Sequence, residues 1–299
     1  MKSSVLKLGF IGTGTIGSAL AFKLSSQGYP VVAVSSRHHT SARKLAQAIN
    51  GCSAATDNQE VADNAEFVFI TTPDDVIASA ASQTRWHQGQ HVVHCSGADS
   101  TDILEPARKA GANVGVFHPL QTFAGAREAT ENLAGSTFTL EAEEPLLGIL
   151  QDMASALGGR WIKLKPGDKA IYHAAAVITC NYLVTLVKMA TDLWQTFGVP
   201  RGKATEALLP LIRGTVRNVE TLGIPQCLTG PIARGDSGTI KKHLEALKEA
   251  APDTLATYRE LGLKTIPIAL AKGRINEPQA AELKTILEQP SYRTDGRSL

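Results

Sequence analysis

Three glycines stand at the spacing Gly12-Thr13-Gly14-Thr15-Ile16-Gly17, directly after the apolar run Leu6–Ile11 and at the start of a helical pattern, Ile16–Gln27. Each glycine in such a turn has its own task. Gly12 permits a tight turn, Gly14 lets the backbone approach a pyrophosphate, and Gly17 lets helix and strand pack closely. The helix start then offers unpaired N–H groups and a positive dipole end to phosphate. Dinucleotide binding is the chemistry this implies, with Gly12, Thr13, Gly14, Thr15, Ile16 and Gly17 as the phosphate turn. An NAD site places Asp or Glu at the end of the second strand to hold the ribose 2′-hydroxyl. Here the chain reads Val34-Ser35-Ser36-Arg37-His38-His39, without a carboxylate. Arg37 offers a fork of donors for a 2′-phosphate, and Ser35 and Ser36 add hydroxyls, so NADP(H) is the expected cofactor.

Two further strand ends point to the same crevice, because ligands of such sheets sit outside the carboxyl ends of the strands. Thr71-Thr72-Pro73-Asp74 should let the cofactor's ribose approach through Thr71, Thr72 and Pro73, while Ser96 and Gly97 of His94-Cys95-Ser96-Gly97 should flank the nicotinamide. His118 and Gln121 of His118-Pro119-Leu120-Gln121 follow a strand and are candidate substrate contacts. On the helix after Pro166, Lys169 and His173 are four apart and share a face, to which Asn181 returns closely. Hydride addition to a carbonyl leaves an alkoxide, and either Lys169 or His173 could supply its proton. The alternatives are a solvated helix-start lysine and a hydrogen-bonded core histidine. Arg234, beside Gly235, could clamp a substrate carboxylate with two parallel hydrogen bonds, or could only salt-bridge Asp236.

The surrounding pattern supplies the scaffold. Leu6–Gly12, Val31–Ser35, Glu66–Thr71, His91–Cys95, Val114–Phe117 and Thr137–Leu140 are strand-length, and helical patterns lie between most of them. That alternation means a parallel sheet with helices on both faces. The helix Glu144–Leu157 and the run Arg160–Leu164 close this half. From Asp168 to Gln289 the reading is almost wholly helical, with a long apolar helix over Tyr172–Val187 and a tail after Pro290 expected to fray. The fold class is therefore α/β, an N-terminal Rossmann-like parallel sheet (1–165) followed by an all-α C-terminal domain (166–299).

The 299 residues carry 30 Lys+Arg against 28 Asp+Glu, a formal net charge of +2, in no long blocks, which argues against nucleic acid or a polybasic membrane anchor. The opening residues have a lysine inside the apolar run and no small-residue cleavage site, so no signal peptide is expected. Four scattered cysteines suit a reduced, cytoplasmic compartment. Ala170–Val187 lacks formal charges but holds Tyr172, His173 and Asn181, so a buried helix rather than a membrane span is expected. His91 and His94 face opposite sides of a strand, and no metal site is expected. No GxSxG elbow of a hydrolase occurs.

The N-terminal half resembles the NADP-binding domain of the pyrroline-5-carboxylate reductase, 6-phosphogluconate dehydrogenase and ketopantoate reductase group. A closer resemblance rests on His94-Cys95-Ser96-Gly97-Ala98, His118-Pro119-Leu120-Gln121-Thr122-Phe123, Lys169-Ala170-Ile171-Tyr172-His173-Ala174-Ala175-Ala176 and Thr229-Gly230-Pro231-Ile232-Ala233-Arg234-Gly235-Asp236. These look like a little-characterised family that pairs a Rossmann-like domain with a helical domain of unknown function. The resemblance implies an NADP-dependent oxidoreductase, dimeric through its helical domain. In the related dehydrogenases a lysine followed four residues later by asparagine serves as proton donor and substrate clamp; this chain has Lys169 followed by His173. Together the motifs imply an NADPH-dependent reductase of a small carbonyl or imine compound bearing a carboxylate, working in a cleft between domains. A non-catalytic NADP(H) sensor is the alternative.

Overall fold

The computed structural model describes residues 6–289, so the expected fraying after Pro290 and most of the opening segment lie outside the described residues. The chain divides into two compact units, 1–181 and 182–299. The first unit is built on eight strands: β1 (Leu8–Ile11), β2 (Val31–Ser35), β3 (Ser53–Ala54), β4 (Phe67–Ile70), β5 (His91–His94), β6 (Asn113–Leu120), β7 (Thr137–Ala142) and β8 (Arg160–Lys163). Their order in the sheet is β3-β2-β1-β4-β5-β6-β7-β8. The chain leaves β1 toward β2 and β3 on one side and continues from β4 on the other, which opens a crevice beyond the carboxyl end of β1.

The inner strands β1, β4 and β5 are buried on both faces, as a sheet covered by helices requires, whereas the edge strand β8 is exposed. Alternation along each strand then sends successive side chains to two cores. Phe10, Phe67 and Phe69 join Leu20, Leu24 and Phe117 on one face, while Ile11, Val68 and Ile70 join Val61, Ile77 and Val92 on the other. Phe10 stacks on Phe69 with centroids 4.8 Å apart, and Phe117 on Phe138 at 4.7 Å.

Two expectations need correction. The sheet is parallel only through β6; β7 runs antiparallel to β6, and β8 runs parallel to β7. An antiparallel neighbour needs only a returning connection, and residues 121–136 make it with the short helix Ala126–Asn132. The apolar helix over Tyr172–Val187 is not continuous either. It is divided into Lys169–Thr179 and Asn181–Gln195 at Cys180, whose backbone stands at φ −107° and ψ −69°. Just before the break, the Thr179 hydroxyl bonds back to the carbonyls of Ala175 (3.1 Å) and Ala176 (3.2 Å), a habit that bends helices. By length and composition alone Lys169–Gln195 could cross a membrane, and its apolar stretch is exposed or half-buried rather than buried as expected. Its first turn is instead tied to the sheet unit through Lys169, as described below.

The second unit is helical. Arg201–Leu222, Ser237–Ala250, Pro252–Ala271 and Glu277–Glu288 are its main helices, separated at the Gly-Pro punctuation that the sequence shows. Ile240, Ile266, Leu283 and Leu287 form its core. Gly262 lets two helices approach closely, since a Cβ there would meet the Leu287 methyls at 2.9 Å.

Candidate active site

The glycine turn is fixed by backbone closeness. Gly12 has φ +107°, and its N–H donates to Ser35 O at 2.9 Å. The Thr71 hydroxyl donates to Gly12 O at 2.6 Å. A Cβ on Gly12 would lie 2.7 Å from the Thr71–Thr72 peptide, and one on Gly17 would lie 2.2 Å from Gly12 O. Gly14 differs: no heavy atom lies within 4 Å of where its Cβ would be. Gly14 is also the N-cap of helix Thr15–Ser26, with no side-chain cap and no acidic residue in the first turn. The free N–H groups and the open space together suit an anion.

Around this turn lies a cleft of about 320 Å³, lined by Gly12–Gly14, Ser36, Arg37, His38, Ser41, Thr71–Pro73 and Val76. No carboxylate lines it, and the exposed Arg37 stands at its rim. The hydroxyls of Thr13 and Thr72 are buried without a partner, which a bound group with acceptor oxygens would remedy. The residues present therefore fit a dinucleotide carrying a 2′-phosphate. Ser35 does not join them. It is buried and gives its hydroxyl to Asn58 Oδ1 at 2.8 Å. Thr15 and Ile16 occupy the first helical turn, with Ile16 packed on the core.

A second cluster gathers at the loop after β5. Lys169 is 2% exposed, and its Nζ donates to Ser96 O at 2.6 Å. Burial lowers its pKa to about 8, against the pull of Glu141, Cys95, Asp99 and Asp74 toward the charged form. On the same helix face, the Tyr172 hydroxyl lies 2.8 Å from His118 Nδ1, and the His173 ring meets the His118 ring edge-on at 6.4 Å. Gly97 makes this meeting possible: a Cβ there would lie 2.5 Å from His173 Nδ1 and 2.9 Å from His118 Nε2. His173 Nδ1 is buried without a partner. Burial, then the nearby Lys169 and His173, push the His118 pKa down to about 3, so that its imidazole is neutral at pH 7. An ammonium, a phenol and two imidazoles thus converge on one backbone position, a set able to hold a carbonyl oxygen or imine nitrogen and to move a proton.

Ser96 itself is locked. Its hydroxyl lies 2.9 Å from carboxylate oxygens of both Asp74 and Asp99 and accepts the N–H of Ala98 and Asp99. His94, fully buried, staples the loop: Ser96 N donates to its Nδ1 at 3.1 Å, so Nε2 carries the proton and donates to Ser100 O at 3.1 Å. Burial lowers its pKa to about 4. The folded state therefore binds this proton less readily than the unfolded chain, whose histidines titrate near 6.5. Stability is full above pH 6.5 and falls as pH drops through the window from 6.5 to 4, by about 3 kcal/mol for this group. Urea unfolding at pH 7 and pH 4.5 should show the loss, and His94→Gln should flatten it by about one proton's worth. An equal slope in the variant would remove this role.

The remaining candidates lie elsewhere. His118 stands within β6 rather than after a strand. Gln121 is exposed, and its amide donates to Ser136 Oγ (3.4 Å) and Asn132 O (3.5 Å). Asn181 falls beyond the break at Cys180 and is exposed. Arg234 belongs to the second unit, where it lines a groove with Lys272 and Arg274. Asp236 does not close a salt bridge with it within 4 Å; its carboxylate caps the helix Ser237–Ala250, accepting from Thr239 N at 3.0 Å and Thr239 Oγ1 at 2.7 Å. Tyr172, Asp74, Asp99 and Glu141 were not singled out from the sequence. For Tyr172 a signal exists, since it lies three residues after Lys169 on the same helix face.

Comparison with known proteins bears on both units. Residues 7–97 match the family described as NADP oxidoreductase, coenzyme F420-dependent, and residues 136–265 match a domain of unknown function, DUF2520. A Bacteroides fragilis structure described as a "putative NADP oxidoreductase" is 27% identical, with TM-score 0.68, covering 88% of this chain and 98% of its own. A Thermotoga maritima structure is 26% identical, with TM-score 0.72, covering 89% and 100%. Among curated proteins, 2-(hydroxymethyl)glutarate dehydrogenase of Eubacterium barkeri is 27% identical over 180 residues, which is 58% of this chain. The match spans about half of that relative, 54% of its length. The fold alone is shared with an Aspergillus terreus reductive aminase in complex with NADPH (15% identity, TM-score 0.63, 95% and 93% covered) and with pyrroline-5-carboxylate reductase of Coxiella burnetii (18%, 0.58, 94% and 99%). The chain is thus similar to NADP oxidoreductases over residues 7–97 and to DUF2520 domains over residues 136–265.

Proposed function

We propose that this protein is an NADPH-dependent reductase of a small carbonyl or imine compound that carries a carboxylate. The observation that carries this reading is the buried Lys169 amine held at Ser96 O beside Gly97, with His118, Tyr172 and His173 around the same glycine. NADPH, held by the glycine turn and Arg37, supplies the hydride when bound. Lys169 then donates a proton to the alkoxide that carbonyl reduction leaves, and Tyr172 and His118, bonded to each other, orient the substrate's polar atom. With its pKa at about 8, Lys169 is mostly charged at pH 7, and the capacity to donate is lost as pH rises through that value. Arg234, Lys272 and Arg274 make the second unit's groove attractive to an anion, and a substrate carboxylate matches that chemistry.

Solved structures of the same fold support the substrate class, since they include reductive aminase, imine reductase and pyrroline carboxylate reductase. A carbonyl and an imine make different demands. A protonated imine becomes a neutral amine and needs no acid, so His173→Ala should change its turnover little; for a ketone, if His173 shares the proton transfer, a loss of about 10²–10⁴-fold is expected. NADPH oxidation across a panel of keto acids and cyclic imines tests the reading. Oxidation with one of them supports it, whereas a thermal shift with NADPH and no turnover across the panel favours a sensor. A homodimer through the helical domain and a cytoplasmic location complete the proposal. The exposed Leu211, Val216 and Leu222 on one helix and the four unpaired cysteines support them.

A further inference from the structure

Glu141, in β7, is a carboxylate that the site described above leaves unused. It is 6% exposed and sits opposite Val116 of β6. One oxygen, Oε1, accepts both the Thr101 N–H at 3.2 Å and the Thr101 hydroxyl at 3.0 Å. The other, Oε2, is buried with no partner. Among the described residues no cation lies within 4 Å of this carboxylate. Arg108, which lines the same cavity of about 680 Å³, spends its guanidinium on Glu105 and on the Thr101 hydroxyl. A buried carboxylate with an idle oxygen needs a compensating charge nearby.

The loop from Ser96 to Thr101 supplies the connection. Lys169 grips it at Ser96 O, and Glu141 grips it at Thr101, five residues further on. We propose that Glu141 is a positioning residue, the buried counter-charge that keeps Lys169 protonated across this clamped loop. Lys169 needs such a group, because a desolvated amine with one carbonyl acceptor drifts toward its neutral form. Other groups act on Lys169 as well: Asp74 from the helix after β4, Cys95 and Asp99 from the loop, and His94, His118, Tyr172 and His173 around it. Asp74 and Asp99 already share the Ser96 hydroxyl, and Cys95 is buried with its thiol pushed up to about 12, hence uncharged. Glu141 is the carboxylate whose second oxygen is buried without a partner, and its Coulombic pull on Lys169 is the largest of the set.

The consequence for turnover rests on the reductase reading above, but the electrostatic claim does not, so the test separates them. Protein labelled with ¹³C at lysine Cε, with the Lys169 resonance assigned by its loss in Lys169→Met, is titrated without substrate. Glu141→Gln keeps an oxygen for Thr101 and removes only the charge. Its Lys169 midpoint should fall by about one pH unit. Thr101→Val, which removes the hydroxyl bond and keeps the charge, should leave the midpoint in place. An unchanged midpoint in Glu141→Gln, or an equal fall in Thr101→Val, would overturn the proposal. Should Glu141→Gln not fold, Glu141→Asp withdraws the charge by one methylene and should give a smaller fall of the same sign; no fall there would overturn it too. Once a substrate is in hand, the alkaline limb of kcat/KM should follow the same shift. A shifted midpoint with an unmoved limb would instead count against Lys169 as the proton donor.

Discussion

Lys169→Met should lower kcat for a ketone substrate by about 10²–10⁴-fold, the usual worth of a positioned general acid. The coenzyme should still bind, because Lys169 is not among the residues that line the nucleotide cleft. Arginine should not restore activity. It keeps the charge but does not release a proton near neutral pH, and its planar fork does not fit a donor site built on the single acceptor Ser96 O. Steady-state kinetics with a fluorescence titration of NADPH would read both quantities. A kcat within threefold of the unmodified protein would take the proton-donor role away from Lys169.

Arg37→Ala should reduce kcat/KM for NADPH by about 10- to 100-fold, matching the ~1.5–3 kcal/mol typical of hydrogen bonds to a charged group. NADH should be unaffected, because the effect depends on the 2′-phosphate alone. The cleft rim holds no carboxylate, so nothing there would favour the unphosphorylated coenzyme. The same loss with both coenzymes would assign Arg37 to stacking on adenine rather than to phosphate recognition.

The geometry of the glycine turn was legible in the sequence because its requirements are local. Gly12 needs a positive φ, Gly17 needs close packing on Gly12 O, and Gly14 needs open space, all within six residues. Ser35 shows the limit even there. Strand alternation turns its side chain inward to Asn58, while the next residue, Ser36, faces the cleft. The cluster around Gly97 was half legible. The spacing of Lys169 and His173 gave one helix face, but their meeting with His118 at Gly97 joins residues far apart in the chain, and no periodicity reports that. Strand direction is equally silent in a two-residue repeat, so the reversal at β7 could not be read. The helix Asn58–Asn64 was missed although Asp57 and Glu60 stand at capping-box spacing, and Asp57 does accept from Glu60 N at 2.9 Å.

Isothermal titration of the unmodified protein with NADPH and with NADH addresses the whole reading at its base. A single saturating uptake of NADPH, at least tenfold tighter than NADH, is the expected result, the ratio that ~1.4 kcal/mol from the 2′-phosphate would give. No heat with either coenzyme, or equal affinity for both, would contradict it.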